Sequence, residues 1–270
     1  MSEKNFSLDP SNYYSNESNW KYLSVSQYKD FMTCEAAALA KLKGDWEPVS
    51  DPTALLVGNY VHSYFESLEA HEQFKEENKD KLFSSRKPYR LLKAFQVAEQ
   101  MIDRIKDEPL FNYLWQGERE TIVTGDLFGV QWKGKIDLLN VEKGYFIDLK
   151  TAAQLDKRFW SDKYGTYVSF IESYGYILQM AVYERLLEQQ YGKPIKGYIY
   201  AVTKQTPSDI AAIKPEETKK EFELEELERS IDRVSQIKNG EDKPNMCGKC
   251  EYCRQRKILT GFIQSGDLID

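Results

Sequence analysis

The sequence predicts an α/β fold, a mixed central sheet flanked by helices with further helices on its N-terminal side. Three observations carry this expectation. The stretch GKIDLLNVEKGYFIDLKT, Gly134 to Thr151, reads as two apolar strands around a tight turn. A long helical pattern, Ser169 to Tyr191, is followed by GYIYAVT, Gly197 to Thr203, an apolar run short enough for a buried strand. Antiparallel strands, then a helix, then a strand is an order that yields a sheet of mixed direction.

Composition sets the outer bounds. The chain has 270 residues, 41% hydrophobic and 30% charged, which is globular and large enough to bury a sizeable core. No apolar run approaches the ~20 residues of a membrane span. The polar start, MSEKNFSLDPSNYYSN, lacks the apolar stretch of a signal peptide, so a cytoplasmic protein is expected. The formal charge of −6 disfavours a passive nucleic-acid coat, whose footprint is basic. It permits a locally basic channel, because acidic residues concentrate between Glu216 and Glu228. The expected organisation is an irregular lead-in over 1–25, one domain over 26–257 and a tail over 258–270.

In chain order, Ser26 is a candidate cap for a helix from Gln27 towards Lys43, with Phe31, Cys34, Ala38 and Leu42 facing inward. Leu55 to Phe74 carries Val57, Val61, Tyr64, Phe65 and Leu68 at helical period, with His62 and Glu66 one turn apart beside that apolar face. Tyr89 to Lys106 repeats the helical pattern and Pro109 closes it. Glu118 to Val123 alternates as a strand, and Gly125 to Gly129 turns it into the strand that bears Asp137. Glu120 could add a carboxylate or face solvent. Lys157 to Tyr167 interleaves Phe159, Trp160, Tyr164 and Tyr167 with Lys157, Arg158 and Lys163, a composition for stacking on bases or for a loop packed on the core. Gln179 and Tyr183 lie one turn apart on the following helix, with Tyr176 close by, able to bridge the hairpin and a nucleotide or to face solvent. Lys204 ends the strand after it and could meet phosphate or water. Lys219 to Lys238 is a charged amphipathic helix that offers a docking face.

The hairpin carries the chemistry. With Val141 to Gly144 as the loop, Asn140 pairs with Tyr145 and Asp137 falls opposite Asp148. Like charges at a cross-strand separation of roughly 5 Å repel, and a bound cation would relieve them. Side chains alternate along a strand, so Lys150 shares a face with Asp148 while Leu149 points away. Two carboxylates and an ammonium group could hold Mg²⁺ and set a positive charge beside a phosphate. A partly buried ion pair with one extra carboxylate would give the same pattern.

MCGKCEYCRQRK places Cys247, Cys250 and Cys253 at C-x2-C-x2-C spacing, and Cys34 is the one other cysteine. Without a secretory signal these are thiols or metal ligands rather than disulfides. Together they would complete four thiolates for an iron–sulfur cluster; zinc is the alternative, and a buried Cys34 with free surface thiols is the third reading.

GNYVHSYFE, GKIDLL, FIDLK and the Gln179/Tyr183 pair, in that order, resemble the PD-(D/E)XK nucleases of the RecB type. SVSQYKDFMTCEAAALAKL and CGKCEYCRQRK resemble more narrowly the RecE-type exonucleases (exonuclease VIII) of phages and prophages. The likeness spans Ser24 to Lys257. It implies a restriction-endonuclease-like core in which His62, Asp137, Asp148 and the Leu149 carbonyl bind Mg²⁺, with Mn²⁺ as a substitute. Lys150 would orient or help deprotonate the attacking water and stabilise developing charge. Gln179 and Tyr183 would position the DNA strand. By the same resemblance the chain would digest linear duplex DNA from the 5′ end, leave a 3′ single strand for the annealing protein of the same phage, and form a homo-oligomeric ring in a bacterial host. The cysteine triplet departs from the C-x2-C-x5-C ending of cluster-bearing relatives, and Ile136 replaces the usual proline. A structure-selective endonuclease and a non-catalytic binding protein are the competing functions.

Overall fold

A computed structural model describes residues 6–49 and 51–268. The expected α/β class is the one observed. Five strands, β1 (Glu118–Leu127), β2 (Val130–Asn140), β3 (Tyr145–Ala152), β6 (Lys196–Thr203) and β7 (Ile210–Ile213), form one sheet in the order β1-β2-β3-β6-β7. Neighbours are antiparallel except β3 and β6, which run parallel, from Tyr145 beside Lys196 to Ala152 beside Thr203. A separate two-stranded ribbon pairs β4 (Phe159–Ser161) with β5 (Thr166–Val168).

Every residue of β3 from Tyr145 to Leu149 is buried, as expected of a central strand covered on both faces. On one face Leu138, Ile147, Leu149, Tyr200 and Val202 join a core with two helices, α4 (Thr53–Glu66) through Val57, Tyr60, Val61 and Phe65, and α7 (Lys93–Lys106) through Phe95, Ala98, Met101, Ile102 and Ile105. The other face is covered by α10 (Tyr176–Tyr191), whose Tyr183 ring packs near Phe146 with centroids 6.2 Å apart. Gly134 permits that approach: a Cβ there would meet Tyr183 Cε1 at 2.6 Å.

The chain groups into two compact units, Met1–Val25 with Ser50–Ile231, and Ser26–Val49 with Asp232–Asp270. The second contains α3 (Glu35–Lys43), the end of α11 (Glu217–Asn239) and α12 (Glu251–Gln255). Its charged anchor is Arg233, whose Nε and Nη2 donate to the two oxygens of Glu35 at 2.9 and 2.8 Å, a bidentate geometry among the stronger ion pairs.

Several expected elements are divided by local backbone chemistry. The helix from Gln27 to Lys43 is two, α2 (Val25–Thr33) and α3, because Cys34 is extended at φ −164°. The helix from Leu55 to Phe74 stops at Glu66 and resumes as α5 (Leu68–Glu77), since Ser67 caps the new helix by accepting from Ala70 N at 3.0 Å. Ser169 to Tyr191 breaks into α9 (Phe170–Ser173) and α10 around Gly175. The β1–β2 connection is not Gly125 to Gly129 but the two residues Phe128 and Gly129, both at positive φ, the hairpin turn whose twist matches its strands. Pro109 opens a helix, α8 (Pro109–Leu114), rather than merely ending the one before it. The lead-in is not irregular throughout. It contains α1 (Asn16–Lys21), and Lys133 Nζ, buried on β2, donates to Tyr13 O, Ser18 Oγ and Asn19 Oδ1. Burial pushes the Lys133 ammonium down to about 8.

Candidate metal-dependent active site

The β2–β3 hairpin pairs Asn140 with Tyr145, Leu139 with Phe146 and Leu138 with Ile147, and the ladder then ends. The next step of this register sets Asp137 against Asp148. Backbone pairing stops there because a side chain takes over: Leu149 N donates to Asp137 Oδ2 at 2.7 Å. The N–H and C=O of one strand residue point to the same edge, so the Leu149 carbonyl also faces this gap. Alternation predicts that Asp137 stands beside Asp148 on one sheet face; its carboxylate instead turns into the plane between the strands.

That position opens the gap to both helical layers. From α4, His62 Nδ1 lies 3.4 Å from Asp137 Oδ1. From α10, Gln179 Nε2 donates to Asp148 Oδ1 at 2.7 Å. Lys150 Nζ stands 2.5 Å from Asp148 Oδ2 and 4.6 Å from the centre of the Tyr176 ring. His62, Asp137, Asp148, Lys150 and Gln179 thus converge, four strand or helix positions around one gap with Gln179 bracing the second carboxylate. The hydrogen bond fixes Gln179 against Asp148 instead of leaving it on a solvent-facing helix side.

Charge is frustrated here. Burial raises the Asp148 carboxyl above its ordinary range, and the Asp137 charge adds to the rise even though Lys150 opposes it. For Asp137 burial acts in the same upward sense, but His62, Lys150 and the Leu149 N–H together hold it low. Burial disfavours protonated His62 and Lys150, yet the neighbouring carboxylates overcome this and raise both. The buried Asp148 Oδ2 makes no well-formed hydrogen bond among the described residues, despite its ion pair with Lys150. Two carboxylates beside a carbonyl and an imidazole are a donor set suited to a hard divalent cation.

Tyr183 stands behind the site, buried over Gly134 and beside Phe146, with no open ring face to offer. Lys204 follows β6 and donates its backbone N–H to Ala152 O at 2.9 Å; burial lowers its ammonium. Of the two readings of Glu120, a solvent-facing strand residue or a further carboxylate near the site, the structure departs from the first. Glu120 is half-buried at φ 54°, opposite Asp137 in the β1–β2 register, and ion-paired with Lys135. Burial, reinforced by the Asp137 charge, raises its carboxyl. Lys135 shares the alternation of Asp137, a signal present in the sequence; the left-handed backbone of Glu120 has no such signature. Lys157 to Tyr167 is no plain loop: it forms the β4–β5 ribbon, on which Trp160 and Tyr167 are exposed and meet edge to face at 5.4 Å.

The cysteines gather as well, within the second unit. The four sulfurs of Cys34, Cys247, Cys250 and Cys253 all lie within 4.8 Å of one another, and none is in a disulfide. Among the described residues no helix is long and apolar enough to cross a membrane.

Comparison with known proteins agrees with this architecture. A crystal structure of a candidate exonuclease from Eubacterium rectale is 37% identical, with TM-score 0.89, over 97% of this chain and 98% of its own. A crystal structure of SSO0001 covers 84% of this chain and 96% of its own at 15% identity, with TM-score 0.31, a likeness from which nothing is argued. No curated protein matches the sequence. The family model described as a PDDEXK-like domain of unknown function (DUF3799) matches residues 24–256, and the chain therefore belongs to that PDDEXK-like family.

Proposed function

We propose that this protein is a Mg²⁺-dependent exodeoxyribonuclease, with Mn²⁺ as a substitute, that degrades linear duplex DNA. The observation that carries the reading is the meeting of Asp137, Asp148, Lys150 and His62 at the end of the β2–β3 ladder, with Lys150 ion-paired to Asp148 Oδ2. Asp137, Asp148, the Leu149 carbonyl and the His62 imidazole hold the cation. Bound there, a divalent ion supplies Lewis-acid polarisation of the scissile phosphate and a water acidified towards neutral pH. Leu149 N fixes one oxygen of Asp137 and Gln179 fixes one oxygen of Asp148, so neither carboxylate must reorganise during the reaction. Lys150, kept protonated by both carboxylates, orients the attacking water and offsets negative charge as it builds on the phosphate. Gln179 doubles as a contact to the DNA strand, and Tyr183 supports the floor on which that strand rests.

Exposed Trp160 and Tyr167, with Arg158 5.4 Å over the Tyr167 ring, are fit to stack on bases freed near the cut, and Lys204 to meet backbone phosphate. The exonuclease class is supported by the name given to the similar Eubacterium rectale protein. Attack from the 5′ end, a ring of identical subunits and handover of the 3′ strand to an annealing protein in phage-type recombination complete the proposal and rest on the RecE-type resemblance.

The test is digestion of duplexes labelled at the 5′ or the 3′ end beside a closed circle of the same sequence, with and without Mg²⁺. Early release of the 5′ label and an intact circle are expected. A cleaved circle would replace the reading with a structure-selective endonuclease, and early 3′ release would reverse the polarity.

A further inference from the structure

We infer that Cys34, Cys247, Cys250 and Cys253 hold one zinc ion as a closed structural tetrathiolate, independent of the nuclease centre. The sulfur spacing decides between one ion and a cluster. Cys34 Sγ lies 3.6 Å from Cys253 Sγ, and Cys247 Sγ 3.8 Å from Cys253 Sγ, with all four sulfurs inside 4.8 Å. A tetrahedron with zinc–sulfur bonds of ~2.3 Å has edges of ~3.8 Å. A four-iron cluster carries its thiolates on the outer corners of a cube and spreads them to roughly 6 Å. The four thiols are gathered for a single ion. They are also too far apart for a disulfide, whose sulfurs lie ~2.05 Å apart.

The local backbone is built around that point. Cys34 occupies the extended break between α2 and α3 and is buried there, as the sequence suggests. In Cys247-Gly248-Lys249-Cys250 the chain reverses through Gly248 at φ 76°, and Cys250 N donates to Cys247 Sγ at 3.3 Å. Cys250 caps α12 and Cys253 follows one turn later, returning a third sulfur to the same place. Cys34 and Cys253 are buried, while the apolar cluster around them consists of those two and Ala36, edged by Ala37, Cys250 and Tyr252. The rest of the unit's core, Phe31, Leu39, Leu42, Val234 and Ile237 among it, is also buried, and the ion would add to that packing where the cluster around the thiols is small. Four thiolates around Zn²⁺ carry a net charge of −2, and the same segment supplies Lys249, Arg254, Arg256 and Lys257.

All four positions are taken by protein, which leaves no site for water or substrate and makes the role structural. On binding, each thiol exchanges its proton for a bond to zinc and the protons leave to solvent; no electron is transferred. The ion joins the residue ahead of α3 to the segment that contains α12, and so closes the second unit.

The experiment is elemental and acid-labile sulfide analysis of the full chain purified under reducing conditions without added metal. A colourless protein with about one zinc per chain and no labile sulfide is expected. Stepwise titration with an organomercurial should release that zinc as four thiols are consumed. Cys34→Ser and Cys253→Ser should lower bound zinc by roughly tenfold or more, whereas Asp148→Ala should retain it. Should the cysteine variants be insoluble, the titration of the unaltered chain decides. Iron with labile sulfide, a metal-free chain with four free thiols, or a Cys34–Cys253 disulfide would each overturn the inference.

Discussion

Two clusters of polar side chains in this protein differ in almost every chemical respect. At the end of the β2–β3 ladder the partners are unlike: two carboxylates, a carbonyl, an imidazole and an ammonium group, with one carboxylate oxygen short of hydrogen bonds. In the second unit the partners are four identical sulfurs, all within 4.8 Å of one another. In the proposed reading, unlike donors from the sheet and α4 would hold a cation from one side and leave the other to substrate. Like donors at helix ends would close around an ion and leave nothing open. The difference teaches that donor kind and an open position would separate a centre that does chemistry from one that holds a fold.

The sharpest break of this comparison is removal of chemistry without removal of fold. Asp148→Ala or Lys150→Ala should reduce hydrolysis of end-labelled linear duplex by about 10³-fold or more, with the far-UV spectrum unchanged; retained activity in either would end the assignment. Next comes a contrast of chelation. Omission of Mg²⁺ should stop hydrolysis and leave the melting temperature nearly unmoved, while stripping the thiol-held ion with an organomercurial should lower it by about 5 °C or more. Equal thermal effects would erase the distinction drawn between the clusters.

His62→Ala should cost about 10–100-fold in activity and raise the Mg²⁺ concentration needed for half-maximal rate. An unchanged metal requirement would return His62 to a bystander. Because His62 is raised above the ordinary histidine range by Asp137, metal must displace its proton. Activity at limiting Mg²⁺ should therefore rise as pH increases through the raised His62 value, and His62→Ala should lack that limb. In the metal-free chain the sign of stability is opposite: the His62 contribution is fully present below its unfolded value and is lost as pH rises through the raised folded value. The smallest effect expected is that of Gly134→Ala. Its Cβ, 2.6 Å from the Tyr183 ring, should destabilise by about 1–3 kcal/mol and lower the rate modestly by shifting α10. A neutral melting curve would show that Tyr183 yields without cost.

Much of this was legible before any coordinates. The hairpin register from Asn140 and Tyr145 follows from loop length, and the mixed sheet follows from the order of patterns. Other features were not legible because they are decided by single backbone positions. Cys34 and Ser67 fall within good helical periodicity, yet each interrupts its helix. Apolar period reports which faces are buried and is nearly blind to one residue that leaves helical space. The Phe128 turn and the left-handed Glu120 escaped for the same reason: non-glycine residues at positive φ carry no compositional mark.

By itself the amino-acid sequence determined which side chains had to be near one another along the strands and within the cysteine triplet, since alternation and tight spacing are local properties of a polypeptide. Only the tertiary structure decided that Asp137 turns into the gap to take Leu149 N, that His62 and Gln179 arrive from opposite helical layers, and that Cys34 joins Cys247, Cys250 and Cys253 at single-ion distances. The physical reason is range. Strand alternation is fixed by bond geometry over two or three residues, whereas the meeting of groups far apart in the chain depends on how helices pack on both faces of the sheet and on where a helix is allowed to break.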